Sequence, residues 1–338
     1  MSYSSLFLYP FQKELISFDL LRAPLMVVDV EHEAAIDAHK PSCVVQNYKY
    51  RAQPWIAKNY EVDFQLPQEK TFQTIFCQMP QSKEYCYYQL AMMISLLDDD
   101  GVLVCMAGNN ENGKRLKKWF LEFGLSAQST SKQKHQIVWA QKKKINSEYV
   151  NQCIDKYGIQ KVKIKQKEFY TKAGIYGWNK IDSGSQLLID TMPPNIKGFG
   201  ADYGCGYGFL SKSVVHLNPT IEMIDLYDAD SNALECAGQN MKDMQCQVNL
   251  FFKDLVNNKV NKKYDWIIMN PPFHAGKKAD ADIGVKFIEN AAGSLKLGGM
   301  LYMVANVFLP YEKTLAYNFS KVETVKEENG FKVIFAQK

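Results

Sequence analysis

Short continuous apolar runs alternate along the chain with longer stretches in which apolar residues recur at helical spacing. Continuous apolar runs of this length are typical of strands buried on both faces of a parallel sheet. Strands that alternate with helices predict right-handed βαβ units and an open α/β sheet. The clearest runs are TIF at 74–76, VLVCM at 102–106, WIIM at 266–269 and MLYMV at 300–304.

The same order of segments occurs in both halves of the chain. In the first half, FQTIFCQMP at 72–80 is followed by the helical stretch YYQLAMMISLL and then by DDDGVLVCM. In the second half, YDWIIMNPP at 264–272 is followed by a helical stretch and then by LKLGGMLYMVANV. We therefore predict a tandem duplication of one α/β unit, with domains at 1–145 and 146–338 and a boundary near QKKKINSEY.

The two halves differ where a ligand would bind. The second half has the glycine-rich turn ADYGCGYGFLS at 201–211, whereas LMVVDVEHEAAID in the first half joins a strand to a helix without any glycine. NPPF at 270–273 likewise stands where the first half has QMPQ at 78–81. Two α/β domains resemble each other in general, but this difference favours a first copy that kept the fold and lost the site.

Composition and charge limit the class of protein. The 338 residues suit two domains and 46% are hydrophobic, yet no apolar run reaches the roughly 20 residues of a membrane helix. The N-terminus lacks the pattern of a signal peptide. Eight scattered cysteines without a C-x-x-C pair, and five histidines without metal-ligand spacing, argue against metal or disulfide frameworks. We expect a soluble, cytoplasmic protein without membrane or metal partners, and the net charge of +4 permits nucleic-acid binding.

Lysines are dense between residues 132 and 172, and those at 161, 163 and 165 alternate with Val162 and Ile164. This period of two predicts a strand with one apolar face and one lysine face. Lysines commonly protect an exposed edge strand from pairing with another chain. The same face also suits contact with phosphates beside a nucleic-acid active site, and the sequence leaves both interpretations open.

The glycine-rich turn leads from a predicted strand into a predicted helix. Gly204, Gly206 and Gly208 permit positive φ and close approach of a ligand to the backbone. Their G-x-G-x-G spacing differs from that of dinucleotide sites and of the P-loop. With Asp202 before it, the turn has the form in which S-adenosylmethionine-dependent methyltransferases hold the methionine portion of the cofactor. Backbone N–H groups suit its carboxylate, and carbonyls with a nearby acid suit its ammonium group.

The segment IEMIDLYDADSNALECA begins about 20 residues further on, where a nucleotide-binding fold has its ribose-binding acid. It predicts an apolar strand that ends in acids. We expect Asp228 to accept hydrogen bonds from both ribose hydroxyls, with Asp225 as the second choice. Asp230 is placed to cap a helix that begins at Ser231 or Asn232, and capping is also an alternative for Asp228.

A third acid, Asp254, follows the apolar run VNLFF. We predict a strand that ends in Asp254, at the position where methyltransferases often bind the adenine amino group. Taken alone, Asp254 suits a loop-end aspartate equally well. Its place after the glycine turn and Asp228 favours the cofactor role.

IIMNPPFH at 267–274 predicts a strand that ends in a rigid turn, because proline lacks an N–H group and fixes φ. We expect the Asn270 side-chain oxygen and a backbone carbonyl beside Pro271 to form a pair of acceptors, with the ring of Phe273 nearby. Two acceptors suit the two hydrogens of an exocyclic amino group, and the ring suits a stacked base. Such a site would aim the amino lone pair at a sulfonium methyl for in-line displacement. An ordinary strand terminator is the alternative.

Together these segments resemble the amino-group methyltransferases, and within them the ribosomal RNA guanine-N2 methyltransferases of the small subunit methyltransferase C family. The glycine loop, NPPFHAG, VANVFLPYEKTL and NGFKVIFA match that family in order and spacing, as does AGIYGWNKIDSGSQLLIDTMP upstream. The resemblance is strong over about residues 148–338 and mostly architectural before them. It implies two Rossmann-like class I S-adenosylmethionine-dependent methyltransferase domains in tandem, of which the N-terminal one is degenerate.

The resemblance also assigns further residues by position. It implies that Asp182, Gly184 and Ser185 close the cofactor pocket, in addition to the loop and the acids named above. This chain departs from the family at 176–177, where Tyr-Gly replaces the usual Phe-Ser, and at Tyr207, where alanine is frequent. Neither departure removes a catalytic group, but both bear on how RNA enters.

The implied function is methyl transfer from S-adenosylmethionine to the N2 atom of a guanine in small-subunit (16S) rRNA. The implied partner is ribosomal RNA or the small ribosomal subunit, the enzyme is expected to be a monomer, and the first domain would have an RNA-binding or structural role. Three alternatives stay open: an enzyme acting on large-subunit rRNA, a protein glutamine-N5 methyltransferase, and an RNA-binding assembly factor without catalysis.

Overall fold

The computed structural model describes residues 4–164, 167–272 and 278–338. The chain divides into two compact units. The first unit holds the chain up to Gln160 together with Lys172–Gly174, and the second holds Lys161–Thr171 and Ile175–Lys338.

The described part of the first unit contains seven strands and six α-helices. The strands are β1 (Leu25–Val28), β2 (Cys43–Val45), β3 (Val62–Asp63), β4 (Phe72–Gln78), β5 (Leu97–Gly108), β6 (Gln128–Lys132) and β7 (His135–Gln141). The helices are α1 (Tyr9–Gln12), α2 (Ala34–Asp37), α3 (Lys49–Ile56), α4 (Lys83–Leu96), α5 (Lys114–Glu122) and α6 (Ser147–Tyr157).

The second unit begins with a two-stranded sheet and continues with a second seven-stranded sheet. The strands are β8 (Gln160–Ile164), β9 (Lys167–Thr171), β10 (Gly198–Tyr203), β11 (Ile221–Asp228), β12 (Gln247–Phe252), β13 (Tyr264–Met269), β14 (Leu295–Asn306), β15 (Lys321–Glu328) and β16 (Phe331–Gln337). The helices are α7 (Ser183–Thr191), α8 (Phe209–Leu217), α9 (Ser231–Met241), α10 (Lys278–Ser294) and α11 (Glu312–Asn318).

The two large sheets have the same strand order. It is β3-β2-β1-β4-β5-β7-β6 in the first unit and β12-β11-β10-β13-β14-β16-β15 in the second. In each sheet the first five strands pair in parallel, and the strand that follows them pairs antiparallel to both of its neighbours. The predicted duplication of one α/β unit is therefore confirmed.

Alternate residues of the central strand of the first sheet pack into different hydrophobic cores. In β1, Met26 and Val28 belong to one core and Leu25 and Val27 to another. A strand covered on both faces is apolar at every position, which is why these strands appear in the sequence as continuous apolar runs. Each such side chain contributes roughly 1.5–3 kcal/mol when fully buried. In the described residues, no helix combines the length and apolar character needed to span a lipid bilayer.

The strand order of the second unit reverses at β10, which lies between β11 and β13. Ligands of open α/β sheets bind outside the carboxyl ends of the strands at such a reversal. Tyr203, the last residue of β10, is level with Tyr227 of β11 and Met269 of β13. The glycine turn, Asp228 and Asn270 each follow directly, so the fold brings these three predicted elements to one edge of the sheet.

Candidate active site

The glycine turn adopts a conformation that requires glycine. Gly204, Gly206 and Gly208 have φ of +76°, +55° and +86°, a region that other residues enter at a cost. The N–H groups of Gly204 and Cys205 both donate to the carbonyl of Tyr227, at 2.9 and 3.0 Å, and this fixes the turn to β11. A Cβ atom built on Gly206 meets no atom of the described residues within 4 Å, so these residues leave open space against the backbone there.

Asp202 is completely buried at the end of β10. Ser211 Oγ donates to its Oδ2 at 2.6 Å, whereas Oδ1 has no hydrogen-bond partner among the described residues. Burial raises the pKa of Asp202 to about 7, hydrogen bonding to Ser211 opposes the rise, and the charge of Asp228 adds to it. A buried carboxylate oxygen without a donor suits a cationic ligand group. This oxygen and the space at Gly206 fit the ammonium and carboxylate of a bound methionine moiety.

Asp228 ends β11 and faces the glycine turn. Its Oδ2 accepts from the Gly206 N–H at 2.8 Å and its Oδ1 accepts from the Asp230 N–H at 2.9 Å. Burial raises the pKa of Asp228, and these backbone donors oppose the rise. Each carboxylate oxygen has a second acceptor site, so the group can still accept from a ligand hydroxyl.

The neighbouring acids have structural tasks. Asp230 caps α9, which begins at Ser231 as predicted, and its Oδ1 accepts from the Asn232 N–H at 2.9 Å. Asp225 is completely buried inside the sheet. Three side chains donate to it, namely Tyr264 at 2.6 Å, Lys262 at 2.7 Å and Asn249 at 2.7 Å. Of the two acids considered for the ribose, only Asp228 contacts the glycine turn.

The strand before Asp254 is shorter than predicted. β12 ends at Phe252, because Asp254 is already part of a turn: its carboxylate accepts from the Val256 N–H at 2.9 Å and from the Asn257 side chain at 2.6 Å. The prediction of a strand ending in Asp254 is therefore wrong by two residues. The side chain is buried and stabilises the turn, and its contact with adenine stays a prediction.

Asn270, directly after β13, has a fixed side-chain orientation. Its Nδ2 donates to Asp182 Oδ2 and to Ser185 Oγ, each at 2.9 Å. Both amide hydrogens are thereby used, and Oδ1 is left as the outward acceptor. Pro271 is buried beside it. Phe273, the predicted stacking ring, lies outside the described residues.

The N-terminus of α7 supplies the two groups that hold Asn270. Asp182 caps this helix by accepting from the Ser185 N–H at 2.8 Å, and Tyr176 donates to its other oxygen at 2.9 Å. Gly184 lets the helix approach β16, since a Cβ there would lie 2.7 Å from the ring of Phe331. The family resemblance implies that Asp182, Gly184 and Ser185 close the cofactor pocket, which stays a prediction. It does not reveal their contact with Asn270 or β16.

Asn240 also helps to shape the site, and its role was not predicted from the sequence. Its side chain donates to the carbonyls of Tyr170 and Tyr207 at 2.7 and 2.8 Å and accepts from the Tyr170 N–H at 2.7 Å. It thereby fixes β9 beside the glycine turn. A single asparagine inside a helix gives no sequence signal for this contact.

Two of the three residues of the predicted lysine face, Lys161 and Lys163, lie on β8, and Lys165 lies outside the described residues. Lys161 and Lys163 are exposed, whereas Val162 is partly buried and Ile164 is buried. Lys161 forms an ion pair of 2.6 Å with Glu168 of β9, which offsets part of its charge. The lysine face therefore lies on the hairpin whose other strand Asn240 holds beside the glycine turn.

The strand order, the glycine turn at the reversal point and the oriented asparagine define a Rossmann-like domain of the S-adenosylmethionine-dependent methyltransferase class. Residues 166–335 match the family model of the methyltransferase small domain. Ribosomal RNA small subunit methyltransferase C of Salmonella gallinarum is 30% identical over 261 residues, which cover 77% of this chain and 74% of that protein. The chain therefore belongs to the methyltransferase small domain family and, within it, to the ribosomal RNA small subunit methyltransferase C family.

Two further matches extend over nearly the whole chain. The relative of the same name in Aliivibrio fischeri is 26% identical over 334 residues, 97% of each protein. The solved structure of the T. thermophilus 16S rRNA N2 guanine methyltransferase, RsmC, in complex with AdoMet and guanosine, matches with a TM-score of 0.79 and 19% identity. The match covers 95% of this chain and 91% of the T. thermophilus chain, which shows that both units share the fold of that protein.

Proposed function

We propose that this enzyme transfers a methyl group from S-adenosylmethionine to the exocyclic N2 atom of a guanine in 16S rRNA. The observation that carries the proposal is the orientation of Asn270, whose amide nitrogen is held by Asp182 and Ser185 at 2.9 Å each. The side-chain oxygen therefore faces the site as an acceptor without any rearrangement, which is the preorganisation that catalysis requires.

An exocyclic amino group has two hydrogens and needs two acceptors. Asn270 Oδ1 accepts one, and a backbone carbonyl of the segment Asn270-Pro271-Pro272 accepts the other. The lone pair of an aryl amine is delocalised into the ring. Hydrogen bonds that increase the positive charge on the amine hydrogens favour localisation of this lone pair on the nitrogen atom. The same two bonds fix the direction of attack, and positioning of this kind accounts for much of the rate of such reactions.

The cofactor-binding residues follow the same edge of the sheet. When bound, S-adenosylmethionine supplies an electrophilic methyl group on its sulfonium. Asp202 and the glycine turn hold the methionine end, Asp228 the ribose, and Asp254 the adenine. Asp182 and Ser185 close the pocket from the side of α7 and at the same time hold Asn270.

The choice of substrate rests on the relatives. The curated relatives are small subunit rRNA methyltransferases by name, and the T. thermophilus protein, which has the same fold, is described as a 16S rRNA N2 guanine methyltransferase in complex with AdoMet and guanosine. We extend this target to the present chain. Residues 146–338 then carry catalysis and residues 1–145 an RNA-binding or structural role, in a monomer that works in the cytoplasm on ribosomal RNA or the small ribosomal subunit.

A direct assay separates this proposal from its alternatives. The purified protein, labelled S-adenosylmethionine and small and large ribosomal subunits are incubated, and the labelled fraction is digested and analysed by mass spectrometry. We expect N2-methylguanosine from 16S rRNA. Label in large-subunit rRNA or in methylglutamine would contradict the proposal, as would the absence of label from every fraction.

A further inference from the structure

One aromatic ring stands almost free of the protein beside the site. Phe308 is 88% exposed, although the buried residues Leu309 and Tyr311 follow it closely in the chain. Single exposed apolar residues are common on protein surfaces and have no meaning by themselves. The inference here rests on how this ring is held and where it lies.

Hydrogen bonds to three other parts of the second unit hold the loop that carries Phe308. The Phe308 N–H donates to Asn306 Oδ1 at 3.1 Å, and the Val307 N–H donates to the Gly330 carbonyl at 3.0 Å. Lys332, itself buried, donates to the Leu309 carbonyl at 2.9 Å and forms an ion pair with Glu312. A loop with so many contacts has a defined conformation, and this conformation presents the ring to solvent.

The loop lies at the edge of the sheet that holds the site. β14 is the parallel neighbour of β13, and Met303 of β14 is level with Met269. Strands β13 and β14 both end at the carboxyl edge of the sheet. β13 leads directly into Asn270, and β14 ends three residues after Met303 and leads into the Phe308 loop. The exposed ring and the methyl-acceptor site therefore project from neighbouring strands.

A second exposed ring, Tyr176, lies in the segment before α7 and is connected to Asn270 through Asp182. Tyr176 is 68% exposed, and its hydroxyl donates at 2.9 Å to Asp182, the residue that holds the Asn270 amide. Partial burial and the charge of Asp182 raise the pKa of Tyr176 to about 12, so it stays a neutral donor. Two hydrogen bonds thus connect this ring to the proposed acceptor of the target base.

We propose that Phe308 and Tyr176 are base-stacking residues for unpaired nucleotides of the RNA that flank the methylated guanine. The inference rests on the proposed function, because an enzyme that acts on a base must bind it unpaired and unstacked. Nucleotides next to such a base lose their own stacking partners, and proteins replace these with exposed aromatic rings.

Binding of in vitro transcribed 16S rRNA tests the role of Phe308. We expect Phe308→Ala to raise the Kd and KM for RNA by about five- to 150-fold, the range that corresponds to loss of one base stack. The Kd for S-adenosylmethionine is unchanged, and Phe308→Tyr, which keeps a ring, restores RNA affinity. Tyr317→Ala is the matched control, because Tyr317 is 90% exposed on α11, which leads to the opposite edge of the sheet.

The Tyr176 variants separate the ring from its hydroxyl. Tyr176→Ala is expected to weaken RNA binding, whereas Tyr176→Phe keeps the ring and retains affinity. Wild-type RNA affinity in both Phe308→Ala and Tyr176→Ala would overturn the inference, and so would an equal loss in Tyr317→Ala. A loss seen only with assembled subunits and not with naked rRNA would assign these rings to a protein contact and overturn it too.

Failure of the proposed function gives a different result. If the wild type binds 16S rRNA through these rings but methylates an atom other than guanine N2, the proposed function is wrong and the stacking inference stands. If the wild type produces N2-methylguanosine and Phe308→Ala does so with an unchanged KM for RNA, the proposed function stands and the stacking inference is wrong.

Discussion

At the scale of single residues, the central feature is the amide of Asn270. Asp182 and Ser185 each accept one of its hydrogens at 2.9 Å. An asparagine held in this way cannot rotate its oxygen away without breaking two hydrogen bonds. The acceptor is therefore in position before any substrate arrives.

Replacing Asn270 by alanine tests this role. We expect kcat to fall by about 10²–10³-fold, as for loss of one transition-state hydrogen bond in other enzymes. The affinity for S-adenosylmethionine stays within about twofold, because the glycine turn and Asp228 are untouched. Single-turnover methylation and calorimetry measure the two quantities. Gln78→Ala, at the end of β4 where QMPQ of the first half stands in place of NPPF, is the control and is expected to have no effect.

The buried carboxyl of Asp202 predicts a pH dependence. Its pKa in the folded protein is about 7, above the ordinary 3.8. Its contribution to the stability of the ligand-free protein is therefore complete below about pH 4 and is lost as the pH rises towards 7. A cationic ligand favours the ionised form, so binding of S-adenosylmethionine releases a proton near pH 6 and tightens between pH 6 and about 8.

Calorimetric titration with S-adenosylmethionine in two buffers of different ionisation enthalpy measures the number of protons released on binding. We expect Asp202→Asn to remove most of the release. Asp230, whose pKa burial also raises to about 7, is the second acid in this range, and Asp230→Asn is expected to keep the part due to Asp202. Binding of S-adenosylmethionine without proton release in the wild type would contradict the role of Asp202.

At the scale of elements, the glycine turn joins β10 to α8 and leaves open space over Gly206. In Gly206→Ala, the positive φ costs about 1–2 kcal/mol of stability and the new methyl group enters that space. We expect a folded protein whose affinity for S-adenosylmethionine is at least about tenfold lower. Gly298→Ala is the matched control, because Gly298 has a φ of +76° but lies at the amino end of β14. Equal affinities in the two variants would refute the placement of the cofactor.

Most elements were predictable because their patterns are local. The apolar runs mark β4, β5, β13 and β14, and the acids and the cap mark the start of α9 at Ser231. The strand before Asp254 was predicted two residues too long, because Asp254 already belongs to a turn that its own carboxylate stabilises. Contacts between distant residues, such as Ser211 with Asp202 or Asn240 with Tyr207, gave no signal, since only the fold brings them together.

At the scale of the whole molecule, we expect the duplicated fold to hold a cofactor in the second unit alone. In the first unit, Asp29 takes the place of Gly204: it has a φ of +54°, and its N–H donates to the Val45 carbonyl at 2.9 Å, as that of Gly204 does to Tyr227. Its buried carboxylate accepts from the backbone and side chain of Asn47 at 2.9 and 2.6 Å. Gln89 donates to the same carboxylate at 3.3 Å, so both of its oxygens are already hydrogen-bonded within the protein.

This difference predicts one bound cofactor per chain. Calorimetric titration of the full-length protein with S-adenosylmethionine is expected to give a stoichiometry near one, and Gly206→Ala to weaken that single event. Two binding events, or one that persists unchanged in Gly206→Ala, would mean that the first unit retains a site. The division of roles between residues 1–145 and 146–338 stays a prediction until such data exist.

The central claim is methyl transfer to guanine N2 in 16S rRNA through Asn270, and rRNA from a strain that lacks this chain tests it most directly. Mass spectrometry of its 16S rRNA is expected to show the loss of one N2-methylguanosine, which returns with the wild-type chain and stays absent with Asn270→Ala. An unchanged set of N2-methylguanosines in the deletion strain would contradict the claim, as would full restoration by Asn270→Ala.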